Sequence, residues 1–149
     1  MGLLTKNPTV RDLMSANLAT CASSDSIQDA AATMAQRNVG VLPVVEGNGS
    51  LKLIGVVTDR DIACRGVAKG LTANAPVEQV MSAPMVTVKP GASANDCQKL
   101  MGDNQVRRVL VVDDAGNCIG IVAQADIARA LSPADAGETV QEISRANRG

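Results

Sequence analysis

The chain contains no histidine, tryptophan, tyrosine or phenylalanine. Without histidine there is no Ser-His-Asp or Cys-His catalysis, and no histidine-ligated zinc or haem. Without aromatic rings there is no stacking platform for single-stranded nucleic acid. An excess of charge of one sign is also lacking. Fourteen basic side chains meet fifteen acidic ones, for a net charge of −1 and a sequence pI near 5.3. That balance argues against a nucleic-acid partner. No apolar run approaches the ~18 residues that a membrane-spanning helix needs. Residues 1–4 are too short an apolar stretch for a signal peptide. The expectation is a soluble, cytoplasmic protein with no membrane partner. Cys21, Cys64, Cys97 and Cys118 form no C-x-x-C pair, which is poor spacing for zinc or redox work. They read as small buried hydrophobes in a reducing compartment.

What is present is globular. Of 149 residues, 46% are apolar and 19% charged, outside the disordered and fibrous classes. A chain of this length suits one domain or a tight pair of half-domains. It buries roughly 70% of the surface its unfolded form exposes. With no aromatics, the core must come from Val, Ile, Leu, Met and Ala.

The chain also repeats itself. Val10-Arg-Asp-Leu-Met14-Ser15-Ala16 recurs as Val77-Glu-Gln-Val-Met81-Ser82-Ala83, 67 positions on. The same offset aligns Thr20 with Thr87, Ser26 with Ser93, Asp29 with Asp96 and Met34 with Met101. Later the offset falls to 65, so that Ile54-Gly-Val-Val57 meets Ile119-Gly-Ile-Val122 and Asp61-Ile-Ala meets Asp126-Ile-Ala. The two extra residues fall near Leu51-Lys52, beside a Gly/Asn/Ser-rich turn where length changes are tolerated. Two related units of about 55 residues result. Each is small for independent stability, so the expectation is that they pack face to face.

Both units follow one order. A short strand (18–21; 85–88) leads through a turn to a helix (26–37; 93–104). Each helix opens with S-x-x-D, a capping-box-like start. Ile27, Ala30, Ala31 and Met34 fall at helical spacing, as do Ala94, Cys97, Leu100 and Met101. An apolar strand (41–45; 109–112) then turns into another (53–57; 118–122), which the turn chemistry reads as an antiparallel hairpin. A last helix follows (59–64; 124–131). The fold class expected is α/β (α+β): two β-α-β-β-α repeats packed with pseudo-two-fold symmetry. The repeats span 8–65 and 77–131, joined by a Gly/Ala/Thr linker at 66–76. A tail at 132–149 reads as a short helix with Val140, Ile143 and Ala136 on one face.

The sharpest local pattern is Gly55-Val-Val-Thr58-Asp59-Arg60-Asp61. A strand ends and a helix begins there, a junction whose free N–H groups favour an anion. Thr58 offers a hydroxyl, and Asp61 offers two acceptor oxygens suited to a ribose 2′,3′-diol. The ordinary alternative is that Thr58 or Asp59 is an N-cap and Asp61 merely favours the first helical turn. The second unit has Gly120-Ile-Val-Ala123-Gln124-Ala125-Asp126: the Asp is kept and the hydroxyl is lost. Arg107 and Arg108 enter a core strand where the first unit has Gly40 and Val41. Alternation along a strand puts only one of the pair on each face, and such a guanidinium can clamp a phosphate.

The doubled β-α-β-β-α order, with G-x-x-T-x-x-D closing the first repeat, resembles the cystathionine-β-synthase (CBS) domain pair, or Bateman module, of signal-transduction proteins. The Val-x-x-x-Met-Ser entry segments and the strands at 40–46 and 107–113 carry the likeness across residues 8–131. Leu110 departs from the proline usual at its position, and Ala123 from the Ser or Thr of the motif. The resemblance implies two clefts for adenosyl ligands: AMP, ADP, ATP, S-adenosylmethionine, sometimes NAD or cyclic di-AMP. The first would use Thr58, Arg60 and Asp61 with Ser82, Met85, Val86, Arg107 and Arg108, and Val56 against the adenine. The second, weaker cleft would use Ile121 and Asp126 with Ala19 and Gly40. The implied role is a non-catalytic energy or metabolite sensor that works as a homodimer on a regulated protein partner. It requires no cofactor or metal, and the adenine nucleotide is its regulatory ligand. The alternative is a structural or interaction module with degenerate clefts.

Overall fold

The computed structural model describes residues 7–83 and 86–131. The short helix α1 (Val10–Leu13) precedes β1 (Cys21–Ala22), α2 (Ile27–Arg37), β2 (Val41–Gly47), β3 (Ser50–Thr58) and the single turn α3 (Asp59–Asp61). The second repeat supplies β4 (Thr87–Val88), α4 (Ala94–Asn104), β5 (Arg108–Val112), β6 (Cys118–Ala123) and α5 (Gln124–Ala130). The mixed α+β class is therefore as expected, with two three-stranded sheets ordered β1-β2-β3 and β4-β5-β6. β2 and β3 form the anticipated antiparallel hairpin, with Val44 opposite Gly55 and Val41 opposite Thr58. β1 is shorter than its sequence pattern and starts later. Only Cys21 and Ala22 pair, parallel to Val44 and Val45.

The helices start where the sequence places them. Ser26 Oγ accepts the Asp29 N–H at 3.0 Å, and Ser93 Oγ accepts the Asp96 N–H at 3.0 Å. Each cap satisfies an N–H that the first helical turn leaves unpaired. Ile27, Ala30 and Met34 are buried on α2, and Ala94, Cys97 and Met101 on α4. Leu100 packs at the edge of that core. Ala31 is exposed, contrary to the pattern. The buried stripe of α2 follows i, i+3, i+7 and passes to one side of it. The last helix of the first repeat also departs from expectation. After one α-turn the backbone widens to a π-turn over Ile62–Gly66 and tightens to a 3₁₀ turn over Val67–Lys69. Gly66 is buried here, and a Cβ on it would lie 3.3 Å from Ile27 Cδ1. The predicted tail helix at 132–149 lies outside the described residues.

Packing divides the chain into two compact units that do not follow the order of the repeats. One holds residues 18–83 with 115–118; the other holds 7–17, 86–114 and 119–131. Each entry segment packs on the body of the other repeat. Val77 and Val80 join Ile27, Ala30, Met34, Leu42, Val44 and Val57 in one core. Val10 joins Ala94, Cys97, Met101, Val109, Val111, Val122 and Ile127 in the other. The same backbone bonds seat both segments. Val77 N–H donates to Asp25 O at 2.7 Å and Ile27 N–H to Ala75 O at 2.9 Å; Val10 N–H donates to Ala92 O and Ala94 N–H to Pro8 O, both at 2.8 Å.

Beyond the helix, each segment pairs with a sheet strand. Val56 and Ser82 exchange two N–H···O bonds of 2.8 Å, and Ser15 and Ile121 exchange two of 2.8 and 3.0 Å. A glycine makes each approach possible. A Cβ on Gly55 would fall 2.8 Å from Ser82 O and 2.9 Å from Met81 Sδ, and one on Gly120 would fall 2.9 Å from Ser15 O and 2.7 Å from Met14 Sδ. By contrast, a Cβ on Gly102 in α4 would meet nothing within 4 Å.

Opposite signs follow for two Gly→Ala changes. Gly55→Ala should cost about 1–3 kcal/mol through overpacking. Gly102→Ala should add about 0.5–1 kcal/mol through helix propensity. Calorimetric midpoints, moving roughly 2–4 °C per kcal/mol, check both.

The cysteines split as well. Cys21, Cys97 and Cys118 are buried, whereas Cys64 on the π-turn is exposed, which corrects the reading of all four as buried. Burial pushes the Cys21 and Cys97 thiols up to about 11, with the Asp25 carboxylate adding to the effect at Cys21. Thiol labelling of the native chain at pH 8 should therefore show fast modification at Cys64 alone. The other three should react at the rate of unfolding, as peptide mapping of the labelled sites will show.

Candidate functional site

The G-x-x-T-x-x-D segment folds as the end of β3, one cap and one helical turn. Thr58 has extended backbone, and its Oγ1 accepts the Asp61 N–H at 2.9 Å. Asp61 Oδ2 in turn accepts the Thr58 N–H at 3.0 Å. This is a reciprocal capping box with Asp in the acidic position. The capping role weighed for these residues is thus real, and it leaves capacity to spare. An ionised carboxylate has about four lone-pair sites, and one of Asp61's is used by the backbone.

The entry segment of the second repeat brings a hydroxyl to this carboxylate, and the π-turn after α3 brings a guanidinium. The Ser82 hydroxyl lies 3.4 Å from Oδ1 and 3.5 Å from Oδ2, long contacts for a hydroxyl donor. Arg65 Nε stands 3.8 Å from Oδ1. The Asp61 side chain is 14% exposed, open enough to be reached and buried enough to be held. Val56, half-buried, pairs with Ser82 beside it. Val56, Thr58, Asp61 and Ser82 are therefore brought together within one unit, although Ser82 is 21 residues from Asp61. Arg60 is exposed on α3, its N–H donating to Asp59 Oδ1 at 2.8 Å. Met85 lies outside the described residues.

The remaining site candidates divide between the units. Ala19 packs at the edge of the first core. Gly40 is exposed at the head of β2, and its carbonyl accepts the Asp59 N–H at 2.9 Å. Val86 packs against the core of the other unit. Arg107 and Arg108, there at the head of β5, are both exposed, so each guanidinium is available to solvent. Ile121 pairs with Ser15. Asp126 Oδ2 accepts the Ala123 N–H at 3.1 Å, which is half of the box found at Thr58. Its Oδ1 is engaged by Arg129 Nη2 at i+3.

Arg65 is the residue that motif reasoning missed. The available signal was its i+4 spacing from Asp61, which places both on one helical face. Gly55 was read as part of a motif, and its contact with Ser82 and Met81 was not legible from spacing.

A family model for the CBS domain matches residues 10–65 and 77–133. The chain belongs to the CBS-domain family. It is a tandem pair, and the CBS domain-containing protein YhcV of Bacillus subtilis (strain 168) is 43% identical over 140 residues, 93% of this chain and 97% of the relative. Among solved structures, CBSX2 in complex with AMP has a TM-score of 0.69 at 29% identity, covering 82% of this chain and 94% of that one. The CBS pair of MJ0100, in complex with 5-methylthioadenosine and S-adenosyl-L-methionine, has a TM-score of 0.65 at 30% identity, covering 83% and 94%. No helix among the described residues is long and apolar enough to cross a membrane.

The unequal caps of this CBS pair have a measurable consequence. Thr58→Ala should cost about 1 kcal/mol by removing the hydroxyl acceptor. Ala123→Thr should gain about 0.5–1 kcal/mol by completing the second box. Denaturant titrations at constant m-value check both.

Proposed function

We propose that this CBS pair is a non-catalytic regulatory module whose ligand is an adenosyl compound. The observation that carries the reading is the group formed by Thr58, Asp61, Ser82 and Val56. A carboxylate fixed by its own cap keeps acceptor capacity beside a hydroxyl, next to an apolar strand residue. Such a carboxylate can receive both hydroxyls of a ribose 2′,3′-diol, and Val56 offers apolar surface to a base. The AMP in complex with CBSX2, and the 5-methylthioadenosine and S-adenosyl-L-methionine in complex with the MJ0100 pair, support that class of ligand. AMP, ADP, ATP, NAD and S-adenosylmethionine are the candidates. The exposed guanidinium of Arg60 adds positive potential that favours an anionic member of the class.

Function in this reading is a shift in population. A ligand bound more tightly by one arrangement of the chain, or of its homodimer, stabilises that arrangement, and a protein partner responds to the change. Thr58 is replaced by Ala123 in the second repeat, and Asp126 is engaged by Arg129. The second site is accordingly assigned the weaker binding.

Calorimetric unfolding tests the reading without aromatic fluorescence. A ligand at about 100 times its Kd should add roughly 2.7 kcal/mol, raising the midpoint by about 5–10 °C. Asp61→Ala should abolish that rise. Nucleotide-free protein whose midpoint ignores all five compounds would overturn ligand binding in favour of an interaction scaffold.

A further inference from the structure

We propose that Arg65 is a positioning residue for the ribose-binding carboxylate, setting the orientation of Asp61 from outside the G-x-x-T-x-x-D motif. The inference rests on the reading of Asp61 above.

Arg65 lies on the π-turn Ile62–Gly66, four residues after Asp61. Buried Gly66 seats that turn against Ile27 and Val80, which gives the side chain a fixed base. The guanidinium has two partners. Its Nε is 3.8 Å from Asp61 Oδ1, and its Nη1 donates to Met81 O at 3.3 Å. Met81 precedes Ser82, whose hydroxyl faces both oxygens of Asp61. One planar cation thus links the motif carboxylate to the segment that carries its hydroxyl neighbour.

A staple for the fold is a poor account of this arrangement. The two segments are already joined by the paired 2.8 Å bonds of Val56 and Ser82. The Arg65 side chain is 55% exposed, and an exposed pair of that kind contributes little to stability. Orientation is the better account. The Thr58 N–H holds Oδ2 and the Arg65 guanidinium stands 3.8 Å from Oδ1, so a donor and a cation each favour a different oxygen and disfavour rotation of the carboxylate. A diol accepted by both oxygens needs that plane held. A lysine ammonium, being a point charge, cannot serve both partners with the fork of a guanidinium. The other repeat lacks the arrangement. Arg129 stands at i+3 from Asp126, and among the described residues it engages that carboxylate alone.

The test compares AMP with 2′,3′-dideoxyadenosine monophosphate, which has the same charge and no diol. Binding of each is measured by calorimetry on the full chain, for the wild type and for Arg65→Gln, Arg65→Lys and Asp61→Asn. Unfolding scans verify that each variant is folded. The expected result is a wild-type preference for AMP that falls about threefold to fivefold in Arg65→Gln. Arg65→Lys should recover part of it, and binding of the dideoxy compound should change equally little in both. Equal weakening of both nucleotides in Arg65→Gln would overturn the proposal, because a charge or folding effect does not distinguish a diol. An unchanged preference in Arg65→Gln, with Asp61→Asn abolishing it, would overturn Arg65 alone. An unchanged preference in Asp61→Asn would remove Asp61 from the ribose, and Arg65 with it.

Discussion

The reciprocal backbone pairing of each entry segment with a strand of the other repeat is the constraint on which the rest depends. Val56 with Ser82, and Ser15 with Ile121, exchange N–H···O bonds over a strand residue next to a glycine. Remove the glycine's freedom from a Cβ and the segment cannot approach. Keep it, and Val77, Val80 and Val10 enter the core of the opposite repeat. A unit built from about 55 residues has a small interior and is marginal by itself. Borrowing one buried segment from the neighbouring repeat adds apolar area and satisfies the first N–H groups of α2 and α4 with chain carbonyls.

The same pairing assembles the chemistry. Asp61 on its own is half of a helix cap, a common and silent role. Ser82 reaches it because the entry segment lies along β3, and Arg65 approaches it from the π-turn four residues on while bonding Met81 of that segment. Under the proposed function, ligand affinity and seating of the segment share a structural element, and coupling between them needs no longer path. The duplication also permits divergence. Both repeats keep the backbone bonds, while Ala123, Arg129, Arg107 and Arg108 give the second repeat a different cap, ion pair and surface charge.

Much of this was legible in the chain itself. The 67-residue offset, the S-x-x-D caps and the glycine-bounded strands are local signals, and the helices and hairpin lie where those signals put them. Local patterning failed where a long-range contact overruled it. Ala31 has helical spacing and faces solvent, because the three larger or better-placed side chains of α2 fill the core. Cys64 is as apolar as the other cysteines, yet the π-turn carries it outward. In the candidate site, Thr58 and Asp61 could be read from their three-residue spacing. Arg65 showed only its i+4 spacing from Asp61, and its bond to Met81, 16 residues away, was not legible.

The sequence by itself determined the class of fold, the duplication, the family and the chemistry that is excluded. These follow from composition and from patterns within a few residues, where backbone geometry alone relates one side chain to the next. Only the tertiary structure decided which entry segment seats on which sheet, and which groups surround the Asp61 carboxylate. Those outcomes depend on close approach of backbone to backbone between residues far apart in the chain. No local period encodes that approach, and a missing Cβ at Gly55 and Gly120 is its only mark in the sequence.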